Sequence, residues 1–234
     1  MSIYLAPLHG LTNRIFRNVL FSNFSGIDRA MAPFISAAAA SRSAGKHYRD
    51  IDPALQGTVP VEPQLLGGPR DALRECALTI TRLGYDEINL NMGCPYQMVA
   101  KKGRGAGILP DPDAVRQSLD SLCSSGTFRL SVKVRLGRFS SDEIYAVLPV
   151  LNEYPLSRVI IHPRIGKQMY RGTVDLDGFA QAAAACRHEV VYNGDIFTRE
   201  TFLSLQNRFP DVHSWMIGRG VLMDPFLPEE LVSG

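Results

Sequence analysis

Cysteine is scarce in this chain. Its four residues (Cys76, Cys94, Cys123 and Cys186) form no C-x-x-C pair and no metal-ligand spacing. That excludes a disulfide scaffold or zinc ribbon, and it predicts free thiols, no metal and a reducing cytoplasmic setting. Charge of either sign is not in excess. The 25 Lys and Arg stand against 23 Asp and Glu, a formal net charge of +2, so net charge neither demands nor excludes a nucleic-acid partner. Apolar runs long enough to cross a bilayer are missing, so no membrane association is expected. The opening MSIYLAPLHG has no basic region leading into an apolar stretch and a cleavage site, so no secretory signal is expected. Linkers and low-complexity segments are absent too. What remains, at 45% hydrophobic and 21% charged residues, is the composition of one large globular domain.

One pattern recurs along the chain: a short apolar run, a turn marked by Gly or Pro, then a helix-like stretch. The strand candidates are residues 3–7, 29–35, 62–68, 87–93, 130–137, 158–164, 189–195 and 213–220. Most read as continuously apolar, as strands buried on both faces do. Helical stretches separate most of them, with starts expected at Thr198 and at Asp111 before Pro112. Residues 37–45 and 50–60 read as loop or short helix. Eight strands alternating with helices predict a (β/α)8 TIM barrel, a fold that needs roughly 200–250 residues. A doubly wound open sheet is the alternative. It is disfavoured by the strand count and by the lack of a G-x-G-x-x-G fingerprint after the first strand.

In such a barrel, chemistry sits at the C-terminal ends of the strands. Polar residues fall at those ends: His9, Gln64, Asn91, Cys94, Lys133, Arg135, His162, Arg164, Asn193 to Asp195, and Gly218 with Arg219. A lysine inside an apolar strand is costly to bury alone, so Lys133 is expected to find an anionic or hydrogen-bonding partner in the mouth. The NGDI and IGRG turns (193–196 and 217–220) end the seventh and eighth strands. Barrels commonly bind phosphate there through exposed backbone N–H groups, and Arg219 adds a fixed charge. Cys76, Cys123 and Cys186 read as small buried hydrophobes.

The segment from Asn91 to Gly107 carries N-x-G-C-P-x-x-x-V-x-x-x-G-x-G-A. It resembles the signature of the tRNA-dihydrouridine synthases. The resemblance extends in order through APLHGLT (6–12), Gln64, VKVRLG (132–137), His162-Pro163-Arg164, YRG (170–172), NGDI and IGRG. It implies a barrel holding FMN, reduced by NADPH, that reduces a uridine in tRNA. FMN contacts then fall to Pro7, Leu8, His9, Gln64, Lys133, His162, Asn193, Gly194, Asp195, Gly218 and Arg219. Cys94 becomes the acid. Asn91 faces the uracil, and Arg135, Arg164, Tyr170 and Arg171 serve the substrate.

The chemistry is consistent with these residue types. Hydride delivered to uracil C6 leaves C5 needing a proton from the opposite face, which a protonated thiol can supply. Gly103, Gly105, Ala106 and Gly107 are expected to let the Cys94 loop close over the base. Lys133 near the flavin N1/O2 edge would offset negative charge. His9 stands where the family usually has Glu or another small or acidic residue, and Ile165 where Thr is usual. About fourteen residues, 221–234, follow the last phosphate turn. Family members normally continue into a helical domain that helps grip tRNA. The expectation is therefore a catalytic barrel over 1–234 without that domain, monomeric, with tRNA binding less secure than flavin chemistry. Lys101, Lys102, Arg104, Arg164, Lys167 and Arg171 favour a polyanionic substrate. Two alternatives remain open: an FMN barrel acting on a free pyrimidine, and a flavin-free RNA-binding barrel.

Overall fold

A computed structural model describes residues 1–40, 45–124 and 126–233. Ten parallel segments form one sheet. Two pairs of these segments are single strands interrupted where Pro33 and Pro63 cannot donate a ladder hydrogen bond. Joined, they leave eight strands: β1 (Ser2–Leu5), β2 (Arg29–Met31 with Ile35–Ser36), β3 (Val61–Glu62 with Gln64–Leu66), β4 (Glu87–Met92), β5 (Arg129–Gly137), β6 (Leu156–Ile165), β7 (Val190–Tyr192) and β8 (Ser214–Ile217). Both halves of β2 pair with β3, through Ala30 with Val61 and Ile35 with Leu65. β8 returns to β1, Ser214 lying against Ser2. The sheet therefore closes on itself, and every strand expected from the sequence is present.

Helices clad the outside: α1 (Arg14–Asn23), α2 (Ala37–Ala40), α3 (Leu73–Arg82), α4 (Gln97–Ala100), α5 (Pro112–Cys123), α6 (Glu143–Leu151), α7 (Leu176–Ala185), α8 (Arg199–Arg208), α9 (Arg219–Met223) and α10 (Leu227–Val232). Local chemistry sets their starts. Asn13, Asp111, Asp175 and Thr198 each accept a hydrogen bond from a backbone N–H in the first turn, and Pro112 occupies the first helical position of α5. Between β2 and β3 the chain forms only short pieces, α2 and the 3-10 turns Lys46–Ile51 and Pro53–Leu55. Residues 41–44 of the expected 37–45 loop lie outside the described residues.

The main core fills the space between strands and helices, with Ile3, Leu5, Ile88, Leu90, Val132, Val134, Val159 and Ile161 facing out of the barrel into it. A second cluster, Tyr4, Ala6, Met31, Ile160, Val191 and Met216, fills one side of the barrel interior. The other side is polar, a departure from the continuously apolar reading. β4 and β5 alternate, sending Glu87, Asn89, Asn91, Ser131, Lys133 and Arg135 inward between their apolar outer residues. At the barrel floor Arg158 bridges Glu62 at 3.1 Å and Glu87 at 2.9 Å, and Arg29 joins Glu87 from the rim. The described helices include none long and apolar enough to cross a membrane.

Candidate active site

Two clefts meet at the C-terminal mouth of the barrel. One lies over the ends of β7 and β8, the other beside the loop that follows β4. Pro7, Leu8, Lys133, His162, Tyr170 and Arg219 line both, so the two form one continuous site.

Lys133 is at the junction. β5 points its ammonium inward, where it makes no hydrogen bond or ion pair with any described residue. The partner expected from the sequence is not supplied by any described residue. Burial, with Arg135 adding repulsion, pushes the Lys133 pKa down to about 7. An anionic group entering the mouth would be strongly favoured there, because it restores the charge that burial opposes. His162 is buried beside it and held neutral. Burial first, then the charges of Arg135, Lys133, Arg164 and Arg219, keep its pKa well below the usual histidine range. Arg164 Nη1 approaches His162 Nε2 at 3.3 Å. A guanidinium only donates, so Nε2 accepts and the imidazole proton resides on Nδ1.

The β7 and β8 ends form the first of these clefts. The backbone N–H groups of Gly194, Asp195 and Gly218 donate to no described group. Side chains are sterically barred from two of these turns. A Cβ on Gly194 would fall 2.3 Å from Tyr192 Oη, and one on Gly220 would fall 2.1 Å from Ile196 O. Asn193 holds the two strand ends together by donating to Met216 O at 2.8 Å. Arg219 donates to Asp195 at 2.6 Å, and the Tyr170 and Phe197 rings each lie 5.3 Å from its guanidinium carbon. Free N–H groups beside a fixed cation suit a terminal phosphate, and the unpartnered lysine at the junction suits the electron-rich edge of a flavin ring. The residues present therefore fit FMN.

Cys94 walls the second cleft, beside the loop that follows β4. Its N–H and that of Gly93 both donate to Asn91 Oδ1, at 2.8 and 3.1 Å. Burial raises the thiol pKa, against the opposing pull of a backbone hydrogen bond at Tyr96 and of the charges on Arg135 and Lys133. The group is therefore a thiol at neutral pH. Asn91 is itself held from below by a column of side chains. Asn91 donates to Gln64 at 2.8 Å, Gln64 to Asn89 at 2.7 Å, Asn89 to Ser131 at 2.7 Å, and Ser131 to the Glu62 carboxylate. The donors all run in one sense, from Asn91 at the mouth to Glu62, two of the bonds joining register partners on neighbouring strands. Aligned hydrogen bonds of this kind polarise one another, and this set ends on an acidic group.

Two of the loop glycines expected to give the Cys94 loop its freedom are packed tightly against their neighbours, whereas Gly103 faces open space. Gly105, at φ +54°, lies so close that a Cβ there would be 2.7 Å from Cys94 O, and a Cβ on Gly107 would be 2.1 Å from Ala100 O. Ala106 N–H donates to Cys94 O at 2.9 Å. Arg104 grips Asp71 through both arms of its guanidinium, with Nε 2.6 Å from Oδ2. Gly105 and Gly107 serve close approach, and Arg104 is withdrawn from the basic rim.

Most residues singled out in the sequence reach the clefts: Pro7, Leu8, His9, Asn91, Cys94, Lys133, Arg135, His162, Tyr170, Asn193, Gly194, Asp195, Gly218 and Arg219. Three do not. Gln64 is fully buried beneath the mouth and reaches it only through Asn91. Arg164 is buried, with its guanidinium spent on Asp195 and on the carbonyls of Arg171 and Gly172. It fixes the 170–172 loop. Arg171 is exposed on that loop, outside both clefts. Arg135 braces the mouth by donating to Gly93 O at 3.0 Å and Ile165 O at 2.9 Å. Sequence reasoning missed Leu11, Phe34, Tyr96, Phe197 and Leu222 in the lining. Tyr96 stands within the Cys94 motif and Phe34 at the end of a recognised strand, so position alone could have flagged them. Phe34 stacks on His9 with ring centres 4.7 Å apart.

A family model, Dihydrouridine synthase (Dus), matches residues 4–233. Among curated proteins, a probable tRNA-dihydrouridine synthase of Staphylococcus epidermidis is 30% identical over 97% of this chain and 70% of its own length. The tRNA-dihydrouridine(16) synthase of Cupriavidus necator is 29% identical over 96% of this chain and 71% of its own. Among solved structures, morphinone reductase superposes with a TM-score of 0.69 at 11% identity, covering 98% of this chain and 85% of the reductase. N-(5'-phosphoribosyl)anthranilate isomerase from Pyrococcus furiosus gives 0.59 at 15% identity, covering 100% of this chain and 97% of the isomerase. At these identities the structural likeness establishes the barrel alone.

Proposed function

The chain belongs to the dihydrouridine synthase family, and from that premise we propose that it reduces a uridine of tRNA to 5,6-dihydrouridine with FMN and NADPH. The observation that carries this reading is the continuity of the mouth. An unpartnered Lys133 and bare backbone N–H groups on one side run into a protonated Cys94 thiol on the other. Gly194, Asp195, Gly218 and Arg219 would hold the FMN phosphate, and Lys133, with neutral His162 beside it as a hydrogen-bonding group, would hold the flavin ring system. FMN bound there and reduced by NADPH would supply the hydride for uracil C6.

The remaining work belongs to the chain's own side chains. Asn91 sets the Cys94 backbone and faces the base. Cys94, from the opposite face, delivers the proton to C5. It arrives at neutral pH already protonated because burial raises its pKa. Tyr96 and Tyr170 stand on the lining of the same cleft, and Arg135 fixes the floor on which the base rests. Tyr170 and Arg219 are also shared with the phosphate side, so both ends of the site are built on the same walls.

The experiment is anaerobic reduction of the purified protein with NADPH, followed by mixing with unmodified tRNA, with uracil and with orotate. Reoxidation by tRNA, with dihydrouridine in the digested product, is the expected result. Reoxidation by a free base and not by tRNA would replace this reading with that of a small-molecule pyrimidine reductase.

A further inference from the structure

A third groove lies just outside the mouth, on the far side of the Cys94 loop. Pro95, Gln97, Lys101, Arg138, Phe139 and Lys167 form its walls, with Ala106 and Gly166 at its base. Pro95 also lines the cleft that holds Cys94, so the two spaces share a wall. The groove has three cations and no carboxylate in its lining. Neither Lys101, Arg138 nor Lys167 makes an ion pair with a described residue. Of the two acids that follow Arg138 along the loop, Asp142 accepts from the Ser140 hydroxyl at 3.3 Å, and Glu143 accepts the backbone N–H groups of Arg138, Phe139 and Ser140. Phe139 is 58% exposed. The Arg138 guanidinium lies over its ring, the carbon 4.6 Å from the ring centre. An exposed aromatic face beside unpaired cations is the combination that single-stranded nucleic acids bind, bases on the ring and backbone on the cations.

Close packing and a left-handed turn set the base and the end of the groove. Gly166 packs so closely that a Cβ would lie 3.1 Å from Ala106 Cβ. Met169, which closes the groove before Tyr170 enters the mouth, is the only non-glycine described residue with a positive φ, at 56°. This turn places Met169 in the groove and Tyr170 in the catalytic cleft.

We propose that this groove seats the nucleotide next to the reacting uridine on the RNA strand, with Phe139 as a stacking face for its base and Lys101, Arg138 and Lys167 as partners for the adjoining phosphates. The inference rests on the proposed function and names how the RNA is held. A uridine taken out of a stacked strand leaves its neighbour without a stacking partner. Aromatic rings on basic grooves replace that partner in single-stranded recognition. Phosphates position the strand through Lys and Arg, without reading its sequence.

The test uses the full chain, NADPH and unmodified tRNA, with steady-state rates measured across a range of salt. Phe139→Ala should raise the KM for tRNA about tenfold or more, with kcat and the salt slope close to wild type. Phe139→Trp should retain wild-type KM, and Phe139→Leu should behave like Phe139→Ala, since an aliphatic chain fills space without stacking. Arg138→Ala and Lys167→Ala should each reduce the slope of log KM against log salt by about one. Leu203→Ala, at an exposed position on α8, should match wild type. Wild-type KM in Phe139→Ala and Phe139→Leu, with active wild-type enzyme, would overturn this inference while leaving the proposed function intact. A KM that rises equally in Phe139→Trp would also overturn it, because that variant keeps the aromatic face. Wild-type protein unable to reduce tRNA would remove the proposed function and this inference together.

Discussion

Lys133 shows how one buried side chain can define a site. In the protein freed of any cofactor its pKa is about 7, against an ordinary value of 10.5. Between those values the unfolded chain binds more protons than the folded one, so folding stability should climb as pH rises from 7 toward 10. Below pH 7 both states carry the charge and this slope vanishes. Lys133→Met should remove that slope and raise stability at neutral pH. Urea melts of cofactor-free wild type and variant at pH 7 and 9 read the difference directly. Parallel pH dependence in the two proteins would mean that Lys133 is partnered and ordinary. The same substitution should make bound flavin harder to reduce, since the cation offsetting its negative charge is gone. Arg164 teaches the opposite lesson. Its place in an H-x-R motif drew it into the substrate set, yet its guanidinium is closed on Asp195 and two carbonyls. Residue type reveals a charge, and only the fold reveals whether that charge is already spent.

At the scale of elements, the Cys94 loop depends on two missing side chains. Gly105→Ala would put a methyl group within 2.8 Å of Cys94 Cβ, at a backbone angle that L residues rarely adopt. The loop must then lift away. The expected result is loss of tRNA-dependent turnover by about tenfold or more, with cofactor retention unchanged, since the atoms nearest to that methyl group all belong to Cys94. Turnover at the wild-type rate would show that the close packing of 105 on 94 is dispensable.

The strands were legible because apolar runs bounded by Gly and Pro are what a parallel barrel requires. The interruptions at Pro33 and Pro63 were not anticipated, although the missing N–H of proline explains them. The polar column from Asn91 through Gln64, Asn89 and Ser131 to Glu62 was hidden for another reason. Alternation along β4 says that two faces differ. It does not say that the polar face turns inward, which depends on barrel closure. The loop glycines were visible but ambiguous, since freedom and close approach call for the same residue.

For the whole molecule, the barrel separates a structural floor from a reactive mouth. The floor is an ion-pair cluster: Arg158 bridges Glu62 and Glu87, and its charge, with Arg29 and the Ser157 hydroxyl, holds the Glu87 carboxyl below its ordinary range, whereas burial still pushes Glu62 up against the pull of Arg158. Removing one partner from a buried ion pair typically costs about 3–5 kcal/mol, because a charge is stranded. Arg158→Met should therefore lose stability of that order in urea unfolding, and a loss below about 1 kcal/mol would show the floor to be incidental.

The mouth carries the account's central claim, that one continuous site divides the reaction between two sides, with Cys94 serving only the uridine half. Cys94→Ala isolates it. Stopped-flow traces would follow flavin reduction by NADPH, and then reoxidation by unmodified tRNA. The account predicts reduction at close to the wild-type rate and reoxidation slowed by about 10²–10⁴-fold, the usual contribution of a positioned general acid. Reoxidation at the wild-type rate would contradict it, and collapse of both steps together would make Cys94 a packing residue.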